Sequence, residues 1–110
     1  MREILFRGQD SRSKKWIYGY YNGRENSFAR IIDLYGTTRL VNPETVGRYT
    51  GLKDKNGTRI FENGYMIIDK EYKTYKVIFD NAEYILTNIF NCDIITLKDN
   101  SIKGVFVDEI

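Results

Sequence analysis

At 110 residues the chain has the length of a single domain, long enough to bury about two thirds of its unfolded surface without disulfide or metal staples. Apolar residues at 42% and charged residues at 29% exclude a disordered tail, and the longest apolar run, Tyr65-Met66-Ile67-Ile68, is far short of the roughly twenty residues of a membrane helix. The net charge of +2 hides an asymmetry: residues 1–60 carry twelve Lys or Arg against six Asp or Glu, whereas residues 61–110 carry five against nine.

The N-terminus carries charges within a run of three apolar residues and shows no secretory signal. Cys92 is the single cysteine, so an intrachain disulfide is excluded. A reducing cytosol is the expected compartment, with no membrane association.

Residues 2–7 read as a first strand, and the polar run at 8–13 as a turn. Residues 14–21 read as a second strand. Period-2 spacing places Trp16, Tyr18 and Tyr20 on one face and Ile17, Gly19 and Tyr21 on the other. Residues 22–27 read as a loop, 28–35 as a third apolar stretch, and 39–41 as its return strand. Asn42-Pro43-Glu44-Thr45 suits one helical turn, with Asn42 as cap and Pro43 in the first position. Asn56-Gly57 reads as a type I′ hairpin turn between Arg48-Tyr49-Thr50 and Thr58-Arg59-Ile60-Phe61. Strands are expected at 65–69 and 75–79, the latter with Tyr75, Val77 and Phe79 on one face. An Asp80-Asn81 turn then leads into a strand beginning at Glu83. Residues 82–92 also fit a helical face, but the strand is the leading reading. Residues 93–97 and 102–107 read as a last hairpin, split by Lys98-Asp99-Asn100-Ser101. About ten short strands at regular spacing argue for an all-β barrel or sandwich with little helix.

The segment 44–68 resembles the YopX family of small phage and prophage proteins. The resemblance rests on Thr45-Val46-Gly47, Thr50-Gly51-Leu52, Lys53-Asp54-Lys55-Asn56-Gly57 and Ile60-Phe61-Glu62-Asn63-Gly64, and on the opening Arg2-Glu3-Ile4-Leu5-Phe6-Arg7. Where the family often has Asp, this chain has Gly64, and the family's usual Gly-Asn-Ile-Tyr end with a Pro is missing. The resemblance implies one domain over 1–110, with N-terminal strands at 1–41 added to an SH3-type barrel at 44–110. It implies a phage-derived homo-oligomer and no known chemistry. The shared Thr50, Gly51, Leu52, Asp54, Asn56, Gly57, Ile60, Glu62 and Gly64 read as determinants of hairpin geometry, because the glycines suit positive φ and Asp54 suits turn bonding.

Histidine is absent, which removes the commonest general base and metal ligand. Glu62 with Asp69, or Asp80 with Glu83, could meet across hairpins, but their spacing does not distinguish a site from solvated strand ends. No catalysis, metal or other cofactor is expected. The candidate contact residues are Trp16, Tyr18, Tyr20 and Tyr21, close in the chain to Lys14, Lys15 and Arg24, with Arg30, Arg39 and Arg48 as cations that could join them. Two readings follow. The first is a self-assembling module that binds protein. The alternative is a small β-barrel that binds nucleic acid in phage regulation or replication.

Overall fold

A computed structural model describes residues 5–68 and 73–109. Eleven strands lie in two antiparallel sheets, and the chain divides into two compact units, Met1–Tyr49 and Thr50–Ile110. The all-β expectation is met. The strands are β1 (Phe6–Gln9), β2 (Trp16–Glu25), β3 (Phe28–Asp33), β4 (Thr38–Val41), β5 (Gly47–Lys53), β6 (Arg59–Phe61), β7 (Tyr65–Ile68), β8 (Lys73–Asp80), β9 (Glu83–Asn88), β10 (Ile94–Thr96) and β11 (Gly104–Val107). Residues 2–4 of the expected first strand and Asp69 of the expected 65–69 strand lie outside the described residues.

In the first unit the strand order is β4-β3-β2-β1, with the start of β5 pairing beside β1 at Phe6↔Arg48 and Arg7↔Gly47. One face buries Ala29, Ile31 and Val41, with Phe6, Ile17 and Val46 packed against them. Gly19 belongs in β2 because a Cβ there would lie 1.9 Å from the Ile32 carbonyl oxygen. Strand β2 runs on to Glu25 through the expected loop. A bulge lies between Tyr21↔Ile31 and Arg24↔Ala29, with Gly23 at φ 80°. The expected helical turn forms as a 3₁₀ turn over Pro43–Thr45, although Asn42 makes no side-chain cap. The Thr45 hydroxyl instead accepts the Gln9 N–H at 2.8 Å and donates to the Asn42 carbonyl at 2.6 Å.

In the second unit β5 continues into a hairpin with β6, and the other strands form a sheet in the order β10-β9-β8-β7-β11. Met66, Tyr75, Val77, Leu86 and Phe106 are buried along one face, set against each other by the pairs Phe106↔Met66, Met66↔Tyr75 and Val77↔Leu86. Residues 83–88 are strand, as the alternation indicates. This sheet is open, with β10 and β11 at its two edges, so the barrel expected over 44–110 is not closed. The hairpin expected from 93 to 107 does not form either. Leu97–Asn100 is a single helical turn, held where the Thr96 hydroxyl donates to Asp99 at 2.9 Å and Asn100 Nδ2 to the Thr96 carbonyl at 2.7 Å. Strand β11 then pairs with β7 instead of β10.

Two turn details also differ from expectation. Asn56 is not in the left-handed region; Gly57 alone is, at φ 81°, with the Gly57 N–H on the Asp54 carbonyl at 3.0 Å. This is a three-residue loop whose third residue is left-handed, the other common hairpin solution. The two-residue turn of the β8–β9 hairpin is Asn81-Ala82, φ 49° and 64°, closed by Asp80↔Glu83. That register sets Phe79 against Tyr84, ring centroids 4.9 Å apart.

A Asp-x-x-Gly-Thr turn occurs twice, as Asp33-Leu34-Tyr35-Gly36-Thr37 and as Asp54-Lys55-Asn56-Gly57-Thr58. The two share one hydrogen-bond set. Asp33 Oδ1 accepts the Tyr35 and Thr37 N–H groups, both at 2.9 Å; Asp54 Oδ1 accepts those of Asn56 and Thr58 at 2.8 and 2.9 Å. They differ in the second oxygen. That of Asp33 meets Arg39 Nε at 3.1 Å at the surface, whereas that of buried Asp54 accepts the Phe106 N–H at 2.8 Å.

Asp54→Ala should therefore cost on the order of 3 kcal/mol, because it strands backbone donors including a buried one, and Asp33→Ala should cost less. Gly57→Ala should cost about 1–2 kcal/mol, and Gly57→Asn less, since Asn tolerates the left-handed region. Equilibrium urea unfolding measures all four, and equal costs at Asp33 and Asp54 would refute the ranking.

The exposed carboxylates give a pH test. The Thr37 N–H foremost, with Arg39 and Tyr35 adding, holds Asp33 below the usual carboxylate value of 3.8 against some desolvation. The Ser13 and Arg12 N–H groups do the same for Asp10. A carboxyl whose folded pKa lies below its unfolded one stabilises above the unfolded value, and that contribution is lost as pH falls through the folded pKa. The double variant Asp10→Asn/Asp33→Asn should thus be less stable than wild type at neutral pH, with the gap closing below about pH 4. A gap that does not change with pH would contradict this.

Candidate interaction face

Cross-strand partners share a sheet face, so the pairings of the first unit show which contact residues meet. Arg7 faces Tyr18 and Gln9 faces Trp16; Tyr20 faces Ile32; Ile32 faces Thr38 and Arg30 faces Leu40. One face therefore carries Trp16, Tyr18, Tyr20, Ile32, Arg30 and Leu40. Tyr20 is 56% exposed, Tyr18 is exposed beside it, and Leu40 is exposed on the same face two strands away. Leu34 and Tyr35 project from the β3–β4 turn, Tyr35 being 94% exposed. Trp16 is half-buried, with the Arg7 guanidinium 3.9 Å from the centroid of its ring. Arg7 is itself only 2% exposed, so this is a desolvated cation–π pair that covers one face of the ring.

The expected arginines do not gather around these aromatics, whereas Lys14 and Lys15, both exposed, directly precede Trp16 in the chain. Arg30 shares their face, and its Nε donates to the Asn22 carbonyl at 3.0 Å, bracing the bulge. Arg24 pairs with Ala29 and Arg48 with Phe6, which places both on the opposite face. Arg39 is held by Asp33 at 3.1 Å.

On that opposite face lies an open groove of about 290 Å³, lined by Phe6, Tyr21, Arg24, Ala29, Pro43 and Val46. Ala29 forms its buried floor, and Phe6 and Tyr21 stand with ring centroids 5.8 Å apart. Arg24 is its one charged lining residue. Sequence alternation missed this groove, because by parity Arg24 belongs with Tyr20. The bulge moves it to the other face.

The shared motif residues serve the hairpin. The Thr50 hydroxyl donates to the Ile60 carbonyl at 2.8 Å and accepts the Leu52 N–H at 3.3 Å. Gly51 has φ 86°. Ile60 is fully buried, Glu62 is half-buried, and the Gly64 carbonyl accepts the Val77 N–H at 2.9 Å. Asp80 and Glu83 face each other, exposed, at the end of the β8–β9 hairpin; Asp69, the other partner weighed for Glu62, lies outside the described residues. Among the described residues no three Cys, Asp or Glu side chains gather as a metal site, and no helix is long and apolar enough to cross a membrane.

The sequence also gave little sign of Phe90. It stands 85% exposed in the β9–β10 loop, near exposed Ile94. The loop is nevertheless ordered: Asn88 Oδ1 accepts the Phe90 and Asn91 N–H groups at 2.8 and 3.2 Å, and the Asn88 carbonyl accepts the Cys92 N–H at 3.0 Å.

A family model described as YopX protein matches residues 5–107. No curated protein matches the chain.

Proposed function

The chain belongs to the YopX protein family, a membership that fits a phage-type protein, and on that premise we propose that it is a non-catalytic accessory protein that binds protein and assembles with copies of itself. The observation that carries this reading is the exposed strip of Tyr18, Tyr20, Leu34, Tyr35 and Leu40 on the first unit. Contiguous exposed apolar side chains mark contact surfaces, and Tyr is enriched in protein interfaces. Strand β4, at the border of this strip, is a sheet edge, which a partner would cover. A chain without histidine lacks the usual acid–base group, which supports binding over catalysis. The single exposed thiol, Cys92, supports the reducing cytoplasm of a bacterial host.

Protein is favoured over nucleic acid by where the cations lie. A single-strand site sets bases on aromatic rings inside a basic groove. Here Arg24 and Arg48 are on the other face, Arg39 is paired with Asp33, and one face of the Trp16 ring is covered by Arg7.

Sedimentation velocity should show a mass that rises with concentration up to about 100 μM, the range of weak specific interfaces. Labelled single- and double-stranded oligonucleotides should show no anisotropy change between about 50 and about 200 mM salt. A monomer throughout, with oligonucleotide binding that collapses at the higher salt, would replace this reading with the nucleic-acid one.

A further inference from the structure

The first unit carries an apolar groove with one cation, and the second carries an exposed ring on a loop with one acid. The groove is apolar, with two aromatic rings, Pro43, Val46 and the Ala29 floor, and its one charged lining residue is a cation, Arg24. At about 290 Å³ it falls at the bottom of the range for small-molecule pockets, about 300–1,000 Å³. It suits one bulky side chain better than a whole organic ligand.

Phe90 is such a side chain. A Phe left in water forgoes the hydrophobic gain of burial, and this one is 85% exposed on a loop that hydrogen bonds hold in place. An anchor displayed on an ordered loop loses little entropy on docking. The loop itself, residues 89–93, carries one acid, Asp93, and no Lys or Arg, whereas Asp80 and Glu83 lie at the far end of the β8–β9 hairpin. The first unit, residues 1–49, holds nine Lys or Arg against five Asp or Glu, and residues 50–110 hold eight against ten. Tyr35 is at least as exposed as Phe90 but belongs to the unit with the net positive charge, which disfavours it as the occupant of a groove that carries Arg24.

We propose that the groove of one copy receives Phe90 of a second copy, with Asp93 brought toward Arg24. The contact is heterologous: a groove on one copy takes a loop from the other. It repeats from copy to copy, or closes reciprocally within a pair. This inference rests on the self-assembly reading above and gives that assembly its interface.

The experiment uses the full chain, with Phe90→Ser removing the anchor and Arg24→Glu reversing the charge of the groove. Both positions are exposed, and an unchanged thermal midpoint confirms that each variant folds. By sedimentation velocity, each variant alone should self-associate about thirtyfold more weakly than wild type, the scale of a central interface residue. An equimolar mixture should form a dimer, because the Arg24→Glu copy keeps an intact loop and the Phe90→Ser copy an intact groove. Wild type that stays monomeric would end this proposal and the self-assembly reading together. Wild type that associates, with variants that associate equally, would end this proposal alone. So would variants that are monomeric both alone and mixed.

Discussion

A single buried carboxylate ties the second unit together. Burying Asp54 is costly unless its oxygens are satisfied, and backbone donors satisfy both. Oδ1 takes the Asn56 and Thr58 N–H groups of its own turn. Oδ2 takes the Phe106 N–H, 52 residues on in the chain. The turn that ends β5 is thereby bound to the edge strand β11, a contact reinforced where the Lys55 N–H meets the Gly104 carbonyl at 3.2 Å. The Lys-Asp-x-x-Gly run is thus a joint in the fold. Its chemistry is fully used within the chain, which explains how a conspicuous sequence motif carries no reactive group.

The same device recurs wherever a loop must keep its shape. Asp10, Asp33, Asp54 and Asn88 each turn one side-chain oxygen back onto two N–H groups of the following loop. Such side-chain bonds replace the ladder where the chain reverses. The consequence is functional as well as structural. Tyr35 and Phe90 sit on loops of this kind, so their exposed rings are held at fixed positions. Ordering these loops before contact lowers the entropy a partner would otherwise have to overcome.

The alternation of Tyr75 with Val77, and of Trp16 with Tyr18 and Tyr20, was enough to place strands and their faces. What escaped was decided by residues far apart or by single insertions. The helical turn at Leu97–Asn100 is held by local bonds of Thr96, Asp99 and Asn100. Turn composition at 98–101 reads as a hairpin all the same, and only the pairing of Gly104 with Ile68 shows that the strand leaves for β7. The Asp-x-x-Gly-Thr repeat was legible, yet in the reading of the sequence only the copy at 54–58 stood out, because it lies in the family motif. The candidate site was half legible. Its aromatics share a face as expected, but the bulge after Tyr21 reverses parity and carries Arg24 away from them.

That bulge also shapes what the first unit can bind. A bulge re-aims the side chains beyond it, and here it separates an aromatic strip from a cation that would otherwise join it. The strip keeps Arg30, engaged with Asn22, and Arg7, stacked on Trp16. On the far face the displaced Arg24 stands at an apolar groove, a combination that selects an apolar side chain with an acid nearby. Two contact surfaces of different chemistry on opposite faces of one small sheet suit a protein that holds a partner on one side while joining its neighbours on the other.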